Sequence, residues 1–222
     1  VLLEKGYEII GIDSFENSSP KALKSVLKIL NNFEDFNQDN FDFIKGDIRE
    51  KLFLKEVFQK ALDENKPITD VIHLAALKSV SDSFQNPIRY WEYNVYGSMN
   101  LLNVMSFYDC RNLVFSSSAT VYEQSNKLLD EKTFINPNNP YGRTKAAVEQ
   151  FLYDVYSSSD QAWRIINLRY FNPIGAHSSG IIGEDPKSAA ANIFPLITAA
   201  SLGKLKELNV FGNDWETRDG TC

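Results

Sequence analysis

Cysteine is scarce: Cys110 and Cys222 are the only two in 222 residues, too few for a disulfide framework. Histidine is as scarce. His73 and His177 have no close Cys/His partner, which argues against a structural zinc site, and no metal is expected. No apolar run approaches the roughly 18 residues of a membrane-spanning helix. Positive charge is in deficit, with 23 Lys and Arg against 29 Asp and Glu, a net charge of −6 and a pI near 5.0. That argues against a broad basic face for nucleic acid. Nothing resembles a targeting segment. Apolar residues make up 43% and charged residues 23%, an ordinary globular composition for one or two domains. The expectation is a reduced, cytoplasmic α/β protein with neither membrane nor nucleic-acid partners.

The chain opens on Val1 rather than Met. VLLEKGYEIIGID reads as the last turn of a helix, Gly6 as its C′ residue, and then a strand. The other end, FGNDWETRDGTC, stops in a polar loop. We read the sequence as an internal fragment; the alternative is a short protein with ragged termini.

Strand-like runs alternate with helical patterns. Strands are expected at 7–12, 41–44, 70–74, 113–116 and 164–168. Helices are expected at about 20–31, 51–64, 87–108, 141–156 and 189–202. Ser19 offers an N-cap and Pro20 an N1 residue to the first of these helices. With no hairpin signal, the pattern predicts a doubly wound parallel sheet, Rossmann-like and covered on both faces. Residues 123–140 form a long polar loop rich in Asn and Pro, and such loops are often functional. From about residue 173 Gly, Ser and Asn thicken. We divide the chain into a Rossmann-like domain, 1–172, and the beginning of a smaller lobe, 173–222.

Ligands of such sheets sit at the carboxyl ends of the strands, and four strand ends carry suggestive residues. Asp13 closes YEIIGID, where a carboxylate can accept both ribose hydroxyls of an adenosine, or simply form a turn. The Gly-rich phosphate loop that accompanies such an acid falls about 20 residues earlier, ahead of Val1. Gly46–Asp47–Ile48 follows the second strand. Asp47 could receive an adenine amino group while Ile48 packs on the ring, or the tripeptide is a plain turn. In HLAALKSV, residues 73–80, Ala75 and Ala76 are small enough to let backbone approach a ligand, Lys78 could face a pyrophosphate, and His73 reads as a core histidine.

The fourth strand end is FSSSATVY, residues 115–122, followed after one loop by YGRTK, residues 141–145. Tyr141 and Lys145 stand four apart on one helix and share a face. A neutral tyrosine is a poor base because its pKa is near 10. A neighbouring ammonium favours the phenolate, and a hydroxyl such as Ser118 can hydrogen-bond both phenolate and substrate oxygen. That equipment moves a proton on an alcohol while a hydride leaves its carbon.

These residues resemble the extended short-chain dehydrogenase/reductase family, and within it the branch of UDP-glucose (UDP-galactose) 4-epimerases. The motifs are GIDSFENS, GDI, HLAALKSV, FSSSATVY, NPYGRTK, LRYFNPIGAHSSGIIGED and VFGNDWETRDGT, in the family's order over nearly the whole chain. YFNPIGAH with GEDP is the most specific. The resemblance implies NAD as cofactor and a UDP-hexose as substrate, epimerised through a 4-keto intermediate in galactose metabolism, by a protein commonly a homodimer through two long helices.

It further implies that Asp13 holds the adenosine ribose, Asp47 and Ile48 the adenine, and Ala75, Ala76 and Lys78 the pyrophosphate. Asn94 and Tyr170 would lie beside the nicotinamide. Ser118 and Tyr141 would act on the sugar 4-hydroxyl, and Lys145 would bind the nicotinamide ribose and polarise Tyr141. Asn172 would face the sugar nucleotide and Asn192 its diphosphate, with Asn209, Val210 and Phe211 bordering the uracil. Ser14, Ala76, Glu123, Ser178 and Ala191 depart from the family's commoner residues.

Two rivals remain. A sugar-nucleotide dehydratase on the same scaffold needs an acid beside the serine, and Ala119 and Thr120 stand there instead. A non-catalytic NAD-binding regulator would have no need of Ser118, Tyr141 and Lys145.

Overall fold

The computed structural model describes residues 1–31, 37–123, 125, 128–158, 163–184, 192–210 and 212–221. Its strands are β1 (Ile9–Asp13), β2 (Phe41–Lys45), β3 (Asp70–His73), β4 (Asn112–Ser118) and β5 (Arg164–Tyr170). Its helices are α1 (Lys21–Leu30), α2 (Lys51–Asp63), α3 (Val80–Gln85), α4 (Pro87–Tyr90), α5 (Gly97–Phe107), α6 (Pro140–Ser158) and α7 (Ile193–Ser201). Every strand pairing is parallel, as the absence of hairpin signals predicts. Hydrogen bonding divides the strands into a pair, β1–β2, and a three-stranded sheet, β3–β4–β5.

The local signals act much as read. Gly6, at φ 80°, closes the short turn Leu3–Lys5 in the left-handed conformation that costs glycine nothing. The Ser19 hydroxyl accepts from Lys21 N–H at 3.3 Å, although the helix begins one residue after Pro20. On α2, Leu54, Val57, Phe58 and Ala61 are buried, the spacing of one helical face. Asn139 caps α6, its side-chain oxygen accepting from Gly142 N–H at 2.7 Å, and Pro140 takes the first helical position, where its missing N–H costs nothing.

Two features differ from expectation. The helix over 87–108 is one rod, but its middle, Trp91–Tyr96, widens into a π-turn between α4 and α5. The loop after β3 contains an extra helix, α3, capped by the Ser79 hydroxyl, which accepts from Asp82 N–H at 3.3 Å. The helix expected over 189–202 is seen as α7; residues 189–191 lie outside the described residues.

The main core is one-sided. Leu54 and Phe58 of α2, Leu101, Leu102, Val104 and Met105 of α5, and Val148 and Leu152 of α6 pack on Leu113 and Phe115 of β4. The other face of the three-stranded sheet carries the register row Ile72–Val114–Ile166. Ile72 and Ile166 are 52% and 57% exposed. Among the described residues α2, α5 and α6 cover the same face of β3–β4–β5, within the parallel, Rossmann-like arrangement expected.

Gly142 sets how closely α6 approaches the end of β4. A Cβ there would lie 2.4 Å from the Thr120 carbonyl oxygen and 2.9 Å from Pro137 Cβ. The first atom is backbone and cannot swing aside. Gly142→Ala should cost roughly 1–3 kcal/mol by overpacking, read as a lowered urea midpoint with an unchanged slope.

Candidate active site

β4 ends in three serines, and α6 begins after the loop 123–139. That loop is held against the strand end: Tyr122 bridges Ile135, and Asn136 N–H donates to the Val121 carbonyl at 3.1 Å. The start of α6 is thereby fixed over the β4 terminus. Ser118 and Tyr141, 7% and 8% exposed, come together there, close enough for the serine hydroxyl to act on the phenol. Ser118 Oγ also accepts from Thr120 N–H at 3.2 Å and Thr120 Oγ1 at 3.0 Å.

Lys145 is 3% exposed. Its ammonium donates to the Ser116 carbonyl at 2.7 Å and lies 4.8 Å from the Phe115 ring centroid and 6.0 Å from that of Tyr141. Burial pushes the amine down to about 8, so it is still largely protonated at neutral pH. Burial also raises Tyr141, with the Ser118 hydrogen bond pulling the other way. Tyr90, 1% exposed, packs edge-on to Tyr141 at 6.4 Å between centroids, and burial raises it to about 12.

The remaining positions divide by how much binding capacity they retain. Asp13 ends β1, and its Oδ1 accepts from Phe15 N–H and the Ser18 hydroxyl, both at 2.7 Å. Among the described residues no hydrogen bond reaches Oδ2. Asp47 is more committed: its carboxylate takes Arg49 Nη2 at 2.7 Å, Nε at 3.1 Å and Arg49 N–H at 2.9 Å. That guanidinium holds its pKa below the usual carboxylate range. Ile48 lies against Gly97 of α5 so closely that a Cβ there would be 2.8 Å away. Ala75 is exposed and Ala76 half-buried, and the Ala76 carbonyl accepts from Asn17 at 3.3 Å. Lys78 reaches Glu184 at 3.5 Å, and Glu184 also accepts from Asn192 at 2.8 Å.

Asn94 sits in the π-turn, buried, with three hydrogen bonds from its amide to the chain. Oδ1 accepts from Leu77 N–H at 2.8 Å, and Nδ2 donates to the Leu77 carbonyl and to Thr144 Oγ1, both at 3.0 Å. The Ser98 hydroxyl donates to the Asn94 carbonyl and bonds His73 Nε2 at 2.8 Å. Side-chain capture of a carbonyl four residues back disturbs a helix, which accounts for a π-turn at this place. His73 is accordingly the core histidine expected; burial first, and the Lys145 charge second, push it down to about 3.

Tyr170 ends β5, partly exposed. Asn172, Asn209 and Val210 are exposed, and among the described residues none hydrogen-bonds to Ser118, Tyr141 or Lys145. Phe211 lies outside the described residues.

Sequence reasoning missed a buried ion pair beside this group. Glu149, 5% exposed, receives Arg169 Nη2 at 2.7 Å and Nε at 3.0 Å, together with the Ser117 hydroxyl. Arg169 Nη1 reaches Tyr122 Oη at 3.1 Å and the Glu131 carbonyl at 3.2 Å. One pair thus joins β4, β5, α6 and the loop. Glu149 stands four residues after Lys145, so its helical position was legible even though its partner was not.

A parallel α/β scaffold with Ser, Tyr and Lys gathered at a strand's carboxyl end defines a protein of the short-chain dehydrogenase/reductase class. The chain belongs to the GDP-mannose 4,6 dehydratase family, whose model it matches over residues 1–222. It is 42% identical, over its whole length, to a bifunctional UDP-glucose 4-epimerase and UDP-xylose 4-epimerase of Pisum sativum, covering 61% of that protein. It is 44% identical to a UDP-glucose 4-epimerase of Oryza sativa subsp. japonica, covering 57% of it. The structure of the UDP-glucose 4-epimerase from Bifidobacterium longum, in complex with NAD+ and UDP, matches 99% of the chain and 62% of its own, with TM-score 0.87 and 41% identity. The Stenotrophomonas maltophila enzyme, with bound NAD and formylated UDP-arabinopyranose, gives TM-score 0.89 at 37% identity. The chain thus spans about three fifths of the relatives it matches.

The depressed Lys145 value has a consequence for stability. The folded state holds that proton less tightly than the unfolded chain, whose lysine titrates near 10.5. The penalty is therefore complete well below pH 8 and is relieved as pH rises from about 8 to about 10.5, by about 3 kcal/mol over the whole window. Urea unfolding at pH 7.5 and pH 10, which span part of that window, should show stability rising by about 2 kcal/mol relative to a Lys145→Met protein. Parallel changes in the two proteins would contradict the burial penalty.

Proposed function

We propose that the protein containing this chain is an NAD-dependent UDP-glucose/UDP-galactose 4-epimerase working through a 4-keto sugar. The observation that carries the proposal is the convergence of Ser118, Tyr141 and Lys145 at one strand end, in a chain 42% identical to a UDP-glucose 4-epimerase. Residues 1–172 would form the cofactor-binding domain and 173–222 the beginning of the sugar-nucleotide lobe. A cytoplasmic location fits the acidic composition and the few cysteines; no described helix is long and apolar enough to cross a membrane. A homodimer would use the outer faces of α5 and α6, where Met99, Phe107, Tyr153 and Tyr156 are exposed. Among the described residues no group of His, Cys, Asp and Glu could hold a metal ion, and the chemistry proposed needs none.

The donor set fits a dinucleotide. Asp13 keeps one carboxylate oxygen for ribose hydroxyls, and Lys145 presents a buried cation with capacity for a further hydroxyl. Ile48 offers an apolar side chain to adenine, Ala75, Ala76 and Lys78 line the pyrophosphate side, and Tyr170 and Asn94 border the nicotinamide end. Asn172, Asn192, Asn209, Val210 and Phe211 belong to the sugar-nucleotide side of this reading. When bound, the oxidised nicotinamide supplies a hydride acceptor and a positive charge.

The chain's own part is to move the proton. Tyr141 takes it from the sugar 4-hydroxyl and later returns it. Ser118 hydrogen-bonds the phenol and orients it, and the Lys145 ammonium favours the phenolate. Burial raises Tyr141 and the Ser118 hydroxyl lowers it; the Lys145 ammonium, 6.0 Å from the ring centroid, acts in the lowering sense while it keeps its proton. The dehydratase reading lacks an acid at the position after Ser118: the residues there are Ala119 and Thr120, and Thr120 spends its hydroxyl on Ser118.

Tyr141→Phe keeps the ring and deletes the hydroxyl. In the full-length protein it should lower the single-turnover rate of NAD reduction by UDP-galactose by about 10²–10⁴-fold, with little change in UDP-sugar binding. An unchanged rate across neutral pH would transfer the proton to another group.

Asp13 should also set cofactor choice, since a carboxylate beside a 2′-phosphate is a like-charge contact. NAD should bind well ahead of NADP, and Asp13→Ala should narrow the gap. Equal affinities in the unmutated protein would remove Asp13 from the ribose.

A further inference from the structure

Thr144 lies between the two residues the proposed chemistry names on α6, yet it faces no open space: its side chain is fully buried. Its hydroxyl accepts from Asn94 Nδ2 at 3.0 Å and donates to the Tyr141 carbonyl at 2.7 Å. Asn94 in turn clamps both the N–H and the carbonyl of Leu77, at 2.8 and 3.0 Å. Leu77 stands between Ala76 and Lys78, and its side chain packs with Tyr90 and Tyr141. The Tyr141 N–H donates to Ser83 Oγ at 3.2 Å, so the tyrosine's backbone is held at both its N–H and its carbonyl by side chains.

We propose that the Thr144 hydroxyl is a positioning group that couples the Leu77 loop after β3 to Tyr141, through Asn94 in the π-turn. The inference rests on the epimerase reading for its effect on rate, but the coupling itself is a property of the chain. Both Nδ2 donors of Asn94 and one lone pair of its Oδ1 are taken by Leu77 and Thr144. It would therefore act on the reaction through Leu77 and Thr144 rather than by donating to a ligand. Removing the Thr144 oxygen leaves an Asn94 donor short of a partner in a dry site and releases the Tyr141 carbonyl from one of its bonds. Such errors in the placement of a reacting group, about an ångström, are enough to cost up to about a hundredfold in rate.

The test uses two pairs of variants that isolate the oxygen. Thr and Thr144→Val differ by a hydroxyl replaced with a methyl; Thr144→Ser and Thr144→Ala differ by the hydroxyl alone. In the full-length protein, Val and Ala should lower kcat for UDP-galactose about ten- to hundredfold with little change in KM, and Ser should restore most of the loss. A packing role predicts the opposite order, with Val above Ser.

The second readout needs no activity. Amide exchange at Leu77, whose N–H is held by Asn94, should quicken at least about tenfold in Val and Ala but not in Ser. If Val does not fold, the Ser/Ala pair decides alone. Ser as slow as Ala, or Leu77 exchange unmoved by loss of the hydroxyl, would overturn the coupling. An unmutated protein that neither reduces NAD nor interconverts the sugars would instead overturn the epimerase reading, and Leu77 exchange would still decide the coupling.

Discussion

A lysine ammonium buried to 3% exposure, with a strand carbonyl as its hydrogen-bond partner, is the constraint around which the site is arranged. Such a charge is costly unless something polar or aromatic faces it. The end of β4 supplies the Ser116 carbonyl and the face of Phe115. The fold must therefore hold α6 firmly against that strand end. Gly142 permits the approach, Asn139 caps the helix that makes it, and the Glu149–Arg169 pair ties the same helix to β4 and β5 one turn further on. Tyr141, Lys145 and Glu149 fall at intervals of four along one face, so one helix orientation serves all three. The pair itself is worth most as a staple. Breaking a buried ion pair by removing one partner costs about 3–5 kcal/mol, whereas apolar replacement of both can be neutral.

The polar residues near this face are of two kinds, distinguished by what remains of their hydrogen-bonding capacity. Asn94, Thr144 and Asp47 give their donors and most of their acceptor positions to neighbours in the chain. They fix loops and helices relative to one another. Asp13 and Lys145 keep an acceptor and donors free of such bonds. In a site built to bind, unspent capacity is the costly part, since an unsatisfied buried group loses its water without gaining a partner. A saturated neighbour makes that cost tolerable by leaving the unsatisfied group no alternative conformation in which to relax.

The sequence disclosed this site unevenly, for physical reasons. Tyr141 and Lys145 were legible because helical spacing is local, and Ser118 because it closes a strand-like run. Glu149 shares their face, but nothing local separates it from the other carboxylates of an acidic chain. Its significance comes from Arg169, twenty residues later on β5. The helix over 87–108 was legible as a whole, while its π-turn was not. That turn depends on Ser98 bonding His73 of β3 and the Asn94 carbonyl, a tertiary contact that propensity cannot register. Asn94 was singled out only through the family resemblance, and its bonding to Leu77 and Thr144 was not legible. Apolar strands predict a helix-covered parallel sheet, but which helices fall on which face is decided by packing. Past residue 173 the Gly- and Asn-rich composition gave few periodic signals, and α7 is the one helix described there.

The charges buried around Tyr141 point in one direction. Lys145 is positive; Arg169 is positive but spent on Glu149, which is negative. His73, tilted against Phe115 and held by Ser98, is kept neutral by burial and by the Lys145 charge itself. What remains is a single uncompensated positive charge beside a phenol. In a low-dielectric pocket such a charge acts strongly on whatever oxygen becomes negative nearby. It favours the phenolate of Tyr141 in the same sense as it would favour an alkoxide developing on a bound alcohol. A protonated His73 would add a second positive charge to this pocket, at a cost that grows with the proximity of Lys145. Burial lowers both the lysine and the histidine, and the Lys145 charge lowers the histidine further; the one positive charge this pocket keeps lies 6.0 Å from the Tyr141 ring.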